Sequence, residues 1–329
     1  MENRKLLTVA TTTYNHGPYI AQSIDSFLMQ KTNFDFEIVI GEDRSTDNTL
    51  EVCLKYQAKY PGKVRILQRE KNLGMMGNLI ETLKECHGKY IAFCEGDDYW
   101  THKHKLQKQV DFLESHPDYS LCAHDTEVRS ETARFRNPQF AVRQDADLTY
   151  LLQRGNYTPT LSVVYRNHPG MIEMLEKFRD APFADYLMRI SNAEHGKIHF
   201  INKRMSIYRA HSGGVWSGLN MEQGIIKNLQ FLEMIYDRLE PYREDLKIQV
   251  MGWLERVMRI DDIIHMNKNP ELLRIMDKMG IPTFLLEYLR FIHADRNKVS
   301  YFAANATYKF LFGSVKEKML NEIMWRIRS

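Results

Sequence analysis

The stretch Lys89 to Trp100 reads KYIAFCEGDDYW, a short apolar run that stops at a cluster of acids. Tyr90, Ile91, Ala92, Phe93 and Cys94 follow one another without a helical period. A run of that length fits a strand buried on both faces, the usual setting of a parallel sheet. Glu95, Asp97 and Asp98 then fall at its carboxyl end, the edge of an open α/β sheet where ligands bind. Glu95 and Asp97 flank Gly96, which permits close backbone approach to a ligand. Hard oxygen donors at this spacing suit magnesium or manganese, which take one or two protein carboxylates and complete their shell from phosphate oxygens. Asp98 reads as the cap of a helix starting near Trp100.

Upstream, the same alternation of elements repeats. Leu6 to Thr12 is a first strand, followed by a polar turn through Gly17 and Pro18 and a helix carrying Ile20, Ile24, Phe27 and Leu28. Phe36 to Ile40 is a second strand. It ends in the polar loop Gly41 to Asp47, where Asp47 reads as the cap of the helix Asn48 to Tyr60. Val64 to Gln68 is a third strand, and a helix over Met76 to Cys86 leads to the fourth at Lys89. Repeated strand and helix units predict a parallel sheet with right-handed crossovers. The turn Thr13 to Gly17 has one glycine where a dinucleotide fold needs three, which argues against a nicotinamide-dependent dehydrogenase.

Composition narrows the class further. With 329 residues, 43% of them hydrophobic, the chain can build one large domain and a smaller one. A net charge of +3 from 45 basic and 42 acidic residues is too balanced for a nucleic-acid-binding surface, and no basic stripe is interleaved with aromatics. Cys53, Cys86, Cys94 and Cys122 lack metal-ligand spacing, and three of them lie in apolar segments that fit small buried thiols, which suggests a reducing cytosol. No run of about twenty apolar residues suggests a membrane span, so a cytoplasmic location is expected.

Beyond Trp100, a helix over His102 to Ser115 puts Leu106, Val110 and Leu113 on one face and Lys103, Lys105 and Lys108 in solvent. His102 and His104 read as surface residues. Tyr119 to Val128 is a strand, and Arg129 to Asp145 reads as a flexible loop over the site. Thr158 to Tyr165 reads as a further strand whose polar start faces a second substrate. Asp185 opens a helix through Glu194, and Ile198 to Ile201 and Met205 to Tyr208 are two closing strands. From Met221 the pattern is helical, so the boundary falls in Ser212 to Leu219, between a catalytic domain over 1–215 and a helical region over 216–329. The stripe Tyr308 to Met319 reads as core, and Trp325, Arg326 and Arg328 offer a peripheral membrane contact as the secondary reading.

In order, TTTYN, EIVIGEDRSTDNT, NLGMMGN, KYIAFCEGDDYW and YRAHSGG resemble the family 2 inverting glycosyltransferases of bacteria over about the first two-thirds of the chain. The resemblance implies a GT-A fold, an α/β arrangement in which a mostly parallel nucleotide-binding sheet flanked by helices continues into an acceptor-binding half. Here it carries a C-terminal all-helical extension. It also implies sugar transfer, with inversion, from a nucleotide-sugar to a hydroxyl of a glycan or lipid-linked saccharide, in surface polysaccharide or glycoconjugate synthesis at the inner face of the cell membrane. The donor is expected to be a UDP-sugar ahead of a dTDP- or GDP-sugar, and the cofactor a divalent Mn2+ or Mg2+.

Residue by residue, the resemblance sets Thr11 and Tyr14 beside the nucleobase, Asp43 on the base or ribose and Glu95 near the ribose. Asp97 becomes a direct metal ligand, with His211 close to the metal and diphosphate. Trp100 shapes the sugar pocket, and Asp185 is the catalytic base. The chain departs from the family pattern where Glu95 replaces an aspartate, Arg44 a frequent glycine and Ala184 a frequent glutamate. Two other classes compete. A sugar nucleotidyltransferase would need a glycine-rich, basic phosphate loop after the first strand, which TTTYNHGPYI lacks. A non-catalytic nucleotide-sugar or carbohydrate-binding protein on the same fold would tolerate loss of the acids.

Overall fold

The computed structural model describes residues 5–130, 134–135, 145–211, 221–258 and 269–283. The order is β1 (Leu7–Thr13), α1 (Ile20–Leu28), β2 (Phe36–Glu42), α2 (Thr49–Lys59), β3 (Val64–Gln68), α3 (Gly74–Lys84) and β4 (Tyr90–Phe93). It continues with β5 (Tyr99–Trp100), α4 (Lys105–Ser115), β6 (Tyr119–Arg129), β7 (Arg134–Phe135), α5 (Leu148–Arg154), β8 (Val164–Arg166), α6 (Pro169–Lys177), α7 (Ala184–Ala193) and β9 (Lys197–Arg209). Three helices follow, α8 (Met221–Tyr236), α9 (Arg243–Met258) and α10 (Pro270–Lys278).

Among the described residues the strands form one sheet in the order β3-β2-β1-β4-β8-β6-β9-β5, with β7 beside β6. The pairs β3–β2, β2–β1 and β1–β4 are parallel. β8 runs antiparallel to both β4 and β6, so β6 and its parallel partner β9 point the same way as the first four strands. The sheet is therefore mostly parallel and helix-flanked, the α/β class expected from the repeats. The chain winds from β1 outward through β2 and β3, then returns to place β4 on the other side of β1. That reversal opens a crevice at the carboxyl ends of β1 and β4.

Hydrophobic periodicity explains the packing. Ile20, Ile24 and Phe27 of α1 and Leu106, Val110 and Leu113 of α4 are fully buried in one core with Leu7, Val9, Ile38, Ile40, Ala92 and Cys94. On α3, Leu79, Ile80 and Leu83 are buried as well. All four cysteines are free and buried.

The described residues fall in two compact units, one within Met1–Leu151 and Asn156–Ser217, the other within Leu152–Gly155 and Gly218–Ser329. In the second unit, Ile225, Leu229, Leu232 and Ile235 of α8 are buried, as are Leu246, Val250 and Leu254 of α9 and Leu272, Ile275 and Met276 of α10. Asn269 caps α10 by accepting from the Glu271 and Leu272 amides, with Pro270 in the first turn. No helix among the described residues is long and apolar enough to cross a membrane. The expected boundary at Ser212 to Leu219 lies wholly outside the described residues, as do the Tyr308 to Arg328 stripe and most of the Arg129 to Asp145 loop.

Four local readings need correction. Lys105 is fully buried rather than solvated; its Nζ sits 4.1 Å from the centre of the Trp100 ring and has no hydrogen-bond partner. The helix near Trp100 starts at Lys105 with His104 at its cap, so Asp98 does not cap it. Thr158 to Tyr165 is not one strand: Pro159 leads into a 3-10 turn at Thr160–Ser162, and the strand begins at Val164. Ile198 to Tyr208 is not two strands but part of β9, whose register against β6 shifts between His124 and Thr126. The exposed Asn202, Lys203 and Arg204 bulge out there, which is why the apolar pattern breaks.

The loops after β1 and β2 are strapped together. Thr46 N donates to Asn15 Oδ1 at 2.8 Å, Asn15 N to Ser45 Oγ at 3.0 Å and Gly17 N to Asp47 Oδ2 at 2.9 Å. Asp47 Oδ1 also accepts from Thr49 N at 2.9 Å, so it supports the start of α2 from one residue before the cap position, which Asn48 holds. Asn15 (φ 55°) and Arg44 (φ 59°) both adopt left-handed backbone. That conformation is costly for a long side chain such as Arg44. Arg44→Gly should therefore raise stability by about 1 kcal/mol. Urea unfolding checks this, and a lower midpoint for the variant would show that the side chain, not the backbone, governs that turn.

Candidate active site

The acid loop after β4 is held from two sides. Cys94 N donates to Ala10 O at 3.2 Å and Gly96 N to Thr12 O at 3.0 Å, so the loop continues along the end of β1. From α1, Ser23 Oγ reaches Gly96 O at 2.8 Å and Asp98 O at 2.6 Å. A Cβ on Gly96 would sit 2.7 Å from Thr13 Oγ1 and 3.0 Å from Ile20 Cδ1. The glycine thus serves close packing on β1 and α1, not the backbone-to-ligand approach expected of it.

This scaffold brings Glu95, Asp97 and Asp98 together, with one oxygen of each within 4.8 Å of the others. His211 Nε2 lies 3.0 Å from Asp97 Oδ2, and His16 Nε2 lies 3.7 Å from the same oxygen. Burial pushes the Asp97 carboxyl up, but the His211 hydrogen bond and the charge of His16 outweigh it and leave Asp97 below the usual range. That hydrogen bond in turn raises His211. Burial lowers His16. Glu95 is pushed up to about 8 by burial, then by the charges of Asp97 and Asp185. Asp98 is fully buried and raised well above the carboxylate range by burial and its two acidic neighbours. Its Oδ1 accepts from Arg209 N at 2.8 Å, while Oδ2 has no partner. Arg209 also donates to Asp97 O and to the Gln22 amide oxygen.

The other expected residues take varied positions. Thr11 is buried in β1 with its hydroxyl unpartnered, while Tyr14, at the strand's carboxyl end, is 44% exposed and open to a ligand. Asp43 is buried at the end of β2; its Oδ1 accepts from Leu73 N at 2.7 Å, tying it to the start of α3. Trp100 is only 1% exposed, packs on Phe27 at 4.7 Å between ring centres and donates from Nε1 to Leu161 O at 2.9 Å. The ring therefore belongs to the core beneath the acid loop. The part expected of it from sequence, shaping the sugar pocket, can therefore be played only from beneath, without contact to a sugar.

Asp185 stands in the first turn of α7 but does not cap it; Phe183 holds the cap position without a side-chain bond. Its Oδ2 accepts from Asn156 Nδ2 and Thr160 Oγ1, each at 2.8 Å, and Arg189 Nη1 lies 2.8 Å from the same oxygen. Burial pushes this carboxyl up, but the Arg189 charge and the two donors outweigh it and leave Asp185 below the usual range. Thr160 is thus engaged with Asp185, and Thr158 with Arg189. These hydroxyls, expected from sequence to face a second substrate, are used inside the protein. Sequence reasoning missed Arg189, Asn156, Thr160, His16 and Arg209. Only Arg189 carried a signal, its spacing of four from Asp185 on one helix.

The donor set fits a divalent cation. Three carboxyls share a buried corner where two of them are driven toward protonation, and one buried oxygen, Asp98 Oδ2, has no partner. Asp97 and His211 are the residues that would hold the ion; the carboxylate oxygens gathered there suit magnesium or manganese.

The sequence matches the family described as glycosyl transferase family 2 over residues 8–186, more than half of the chain. An uncharacterized protein of Mycobacterium tuberculosis is 31% identical over 262 residues, covering 76% of this chain and 74% of that protein. An uncharacterized glycosyltransferase of Nostoc is 30% identical over 220 residues, covering 62% of this chain and 65% of its own. Among solved structures, S. aureus TarS 1–349 in complex with UDP-GlcNAc aligns with a TM-score of 0.53 at 17% identity, over 89% of this chain and 91% of that one. A mannosyltransferase of Pyrobaculum calidifontis with GDP-Man and Mn2+ gives a TM-score of 0.50 at 13% identity, over 90% and 89%. Such structural likenesses speak for the fold, and the sequence match for the family: the chain belongs to glycosyl transferase family 2.

Proposed function

We propose that this glycosyltransferase moves a sugar from a nucleotide-activated donor, a UDP-sugar ahead of dTDP- or GDP-sugars, to a hydroxyl of a glycan or lipid-linked acceptor, with inversion and with a divalent metal. The observation that carries the reading is the opposite treatment of two carboxyls in one site. Asp185 is held below the usual range by Arg189 against its burial, whereas Glu95 is pushed up to about 8. Environments that separate two carboxyls in this way mark acid and base assignments. A non-catalytic binding protein has no need of an ionised carboxylate kept in a buried site.

Asp185 takes the proton of the acceptor hydroxyl as that oxygen bonds to the anomeric carbon. The bond from that carbon to the diphosphate breaks in line, with its electron pair leaving on the diphosphate. Asp97 and His211 would hold a divalent ion, which when bound would supply Lewis-acid neutralisation of the departing charge. Tyr14 faces the nucleotide end of the crevice, with Thr11 and Asp43 buried beneath it, and Glu95 lies toward the ribose. The neighbours that bind UDP-GlcNAc and GDP-Man support a nucleotide-sugar, and the one with Mn2+ supports a metal. We place the activity in the cytoplasm, at the inner face of the membrane, in surface glycan synthesis.

Nucleoside diphosphate release across a panel of sugar nucleotides, with and without manganese, tests the proposal. Release with one donor, dependent on metal, is expected; a chain that binds a donor but never releases diphosphate with any acceptor would be a binding protein. Asp97→Asn should weaken donor binding and lower turnover by about a hundredfold or more, because a diphosphate beside carboxylates needs a bridging cation. Wild-type turnover of that variant in chelator would remove the metal assignment.

A further inference from the structure

We propose that Arg189, with Thr160 and Asn156, is a positioning residue that grips Asp185 by one oxygen only, so that Asp185 Oδ1 is the atom that takes the acceptor proton. The inference rests on the reading of Asp185 as the base. Every contact the described residues make to this carboxylate, from Asn156 Nδ2, Thr160 Oγ1 and Arg189 Nη1, falls on Oδ2 at 2.8 Å. Oδ1 accepts no hydrogen bond among the described residues, and the side chain remains 22% exposed. A carboxylate fixed through one oxygen leaves the lone pairs of the other uncommitted, and it cannot swing to cap its own helix.

Arg189 is itself held. It is fully buried, with Nε donating to Thr158 Oγ1 and Nη2 to Thr158 O at 2.7 Å. The segment Asn156 to Thr160 therefore supplies both clamps: two donors for the carboxylate and two acceptors for the guanidinium. Burying a cation and an anion is costly unless each is paired and hydrogen-bonded, and removal of one partner leaves the other uncompensated. Such an arrangement is an expensive way to stabilise a helix start that an ordinary cap would serve, and a direct way to present an ionised oxygen. The charged and titratable groups facing Asp185 are Arg189 on α7, Glu95 after β4, Tyr165 on β8 and Tyr208 on β9. Arg189 alone among them is cationic, so its removal changes the sign of the local field.

The test compares pH profiles of kcat/KM for wild type, Arg189→Met, Arg189→Lys and Thr160→Val, with manganese-dependent UDP binding measured by calorimetry. Arg189→Met should bind UDP as wild type does and shift the acid limb upward by at least about one pH unit, roughly tenfold in rate at a fixed pH below the limb. Its rate should recover toward wild type above the shifted limb. Arg189→Lys should restore most of the limb, and Thr160→Val should shift it in the same direction by less. A uniform loss of rate at all pH values, with the limb unmoved in both Arg189→Met and Thr160→Val, would overturn the proposal. If Arg189→Met does not fold, Thr160→Val decides: an unmoved limb with a lowered rate again overturns it. Failure of the underlying reading shows differently, as Asp185→Asn retaining wild-type turnover.

Discussion

Lys105→Met should raise the unfolding free energy at neutral pH by several kcal/mol. Burial lowers the Lys105 ammonium from its ordinary 10.5 to about 7, against only small opposing effects of Cys94 and Cys122. Among the described residues no group donates to or accepts from its Nζ. The folded-state value lies below the unfolded one, so between about pH 7 and 10.5 the unfolded chain binds more protons and stability rises with pH; below about pH 7 the full penalty is present. A depression of that size corresponds to roughly 5 kcal/mol at neutral pH, an upper figure because local relaxation and water entry reduce it. Methionine keeps the unbranched stem that packs on Trp100 and removes the proton linkage. Urea unfolding of both proteins at pH 7, 8.5 and 10 checks the sign. The variant's advantage should shrink as pH rises, and an advantage that grows with pH, or a variant less stable than wild type at pH 7, would show that Lys105 is favourably solvated where it lies.

Asp185→Asn should lower turnover by about a hundredfold or more at saturating donor and acceptor, while the variant still folds and binds donor, with a reduced unfolding free energy because buried Arg189 loses its counter-charge. The expectation follows from the contacts on Oδ2. An asparagine can keep its amide oxygen toward Asn156, Thr160 and Arg189, but its other terminus becomes an amino group that cannot take a proton. Since Asp185 does not cap α7, loss of helix-start stability is not a competing explanation for the lost rate. Single-turnover measurements check it; a variant within a few-fold of wild type would send the search for the base to another acid, with Glu95 the first to examine.

The parallel half of the sheet was legible because its signal is local. Ile38 to Ile40 and Tyr90 to Phe93 are uninterrupted apolar runs, Leu7 to Ala10 is broken only by the buried Thr8, and each is followed by polar residues that fall at the carboxyl edge because these three strands point the same way. The acid cluster was legible for the same reason. What stayed hidden depends on partners distant in sequence. Lys105 looks solvated beside Lys103 and Lys108, since helical spacing alone cannot show that Trp100 and Cys122 close over it. Trp100 follows the acids directly, yet β5 turns its ring down onto Phe27 and Leu161. Arg189 reads as one more helix charge until the Thr158 loop, about thirty residues earlier, is seen to receive it. Gly96 announces a close approach but not which surface approaches.

The central claim, one in-line displacement with Asp185 as base, is tested most directly by the anomeric configuration of the product. With an α-linked UDP-sugar as donor, proton NMR of the freshly formed glycoside should show the β anomer, since the acceptor oxygen enters opposite the departing diphosphate. An α-linked product would contradict the account, because retention requires a second displacement or same-face attack that a lone base at Asp185 does not provide.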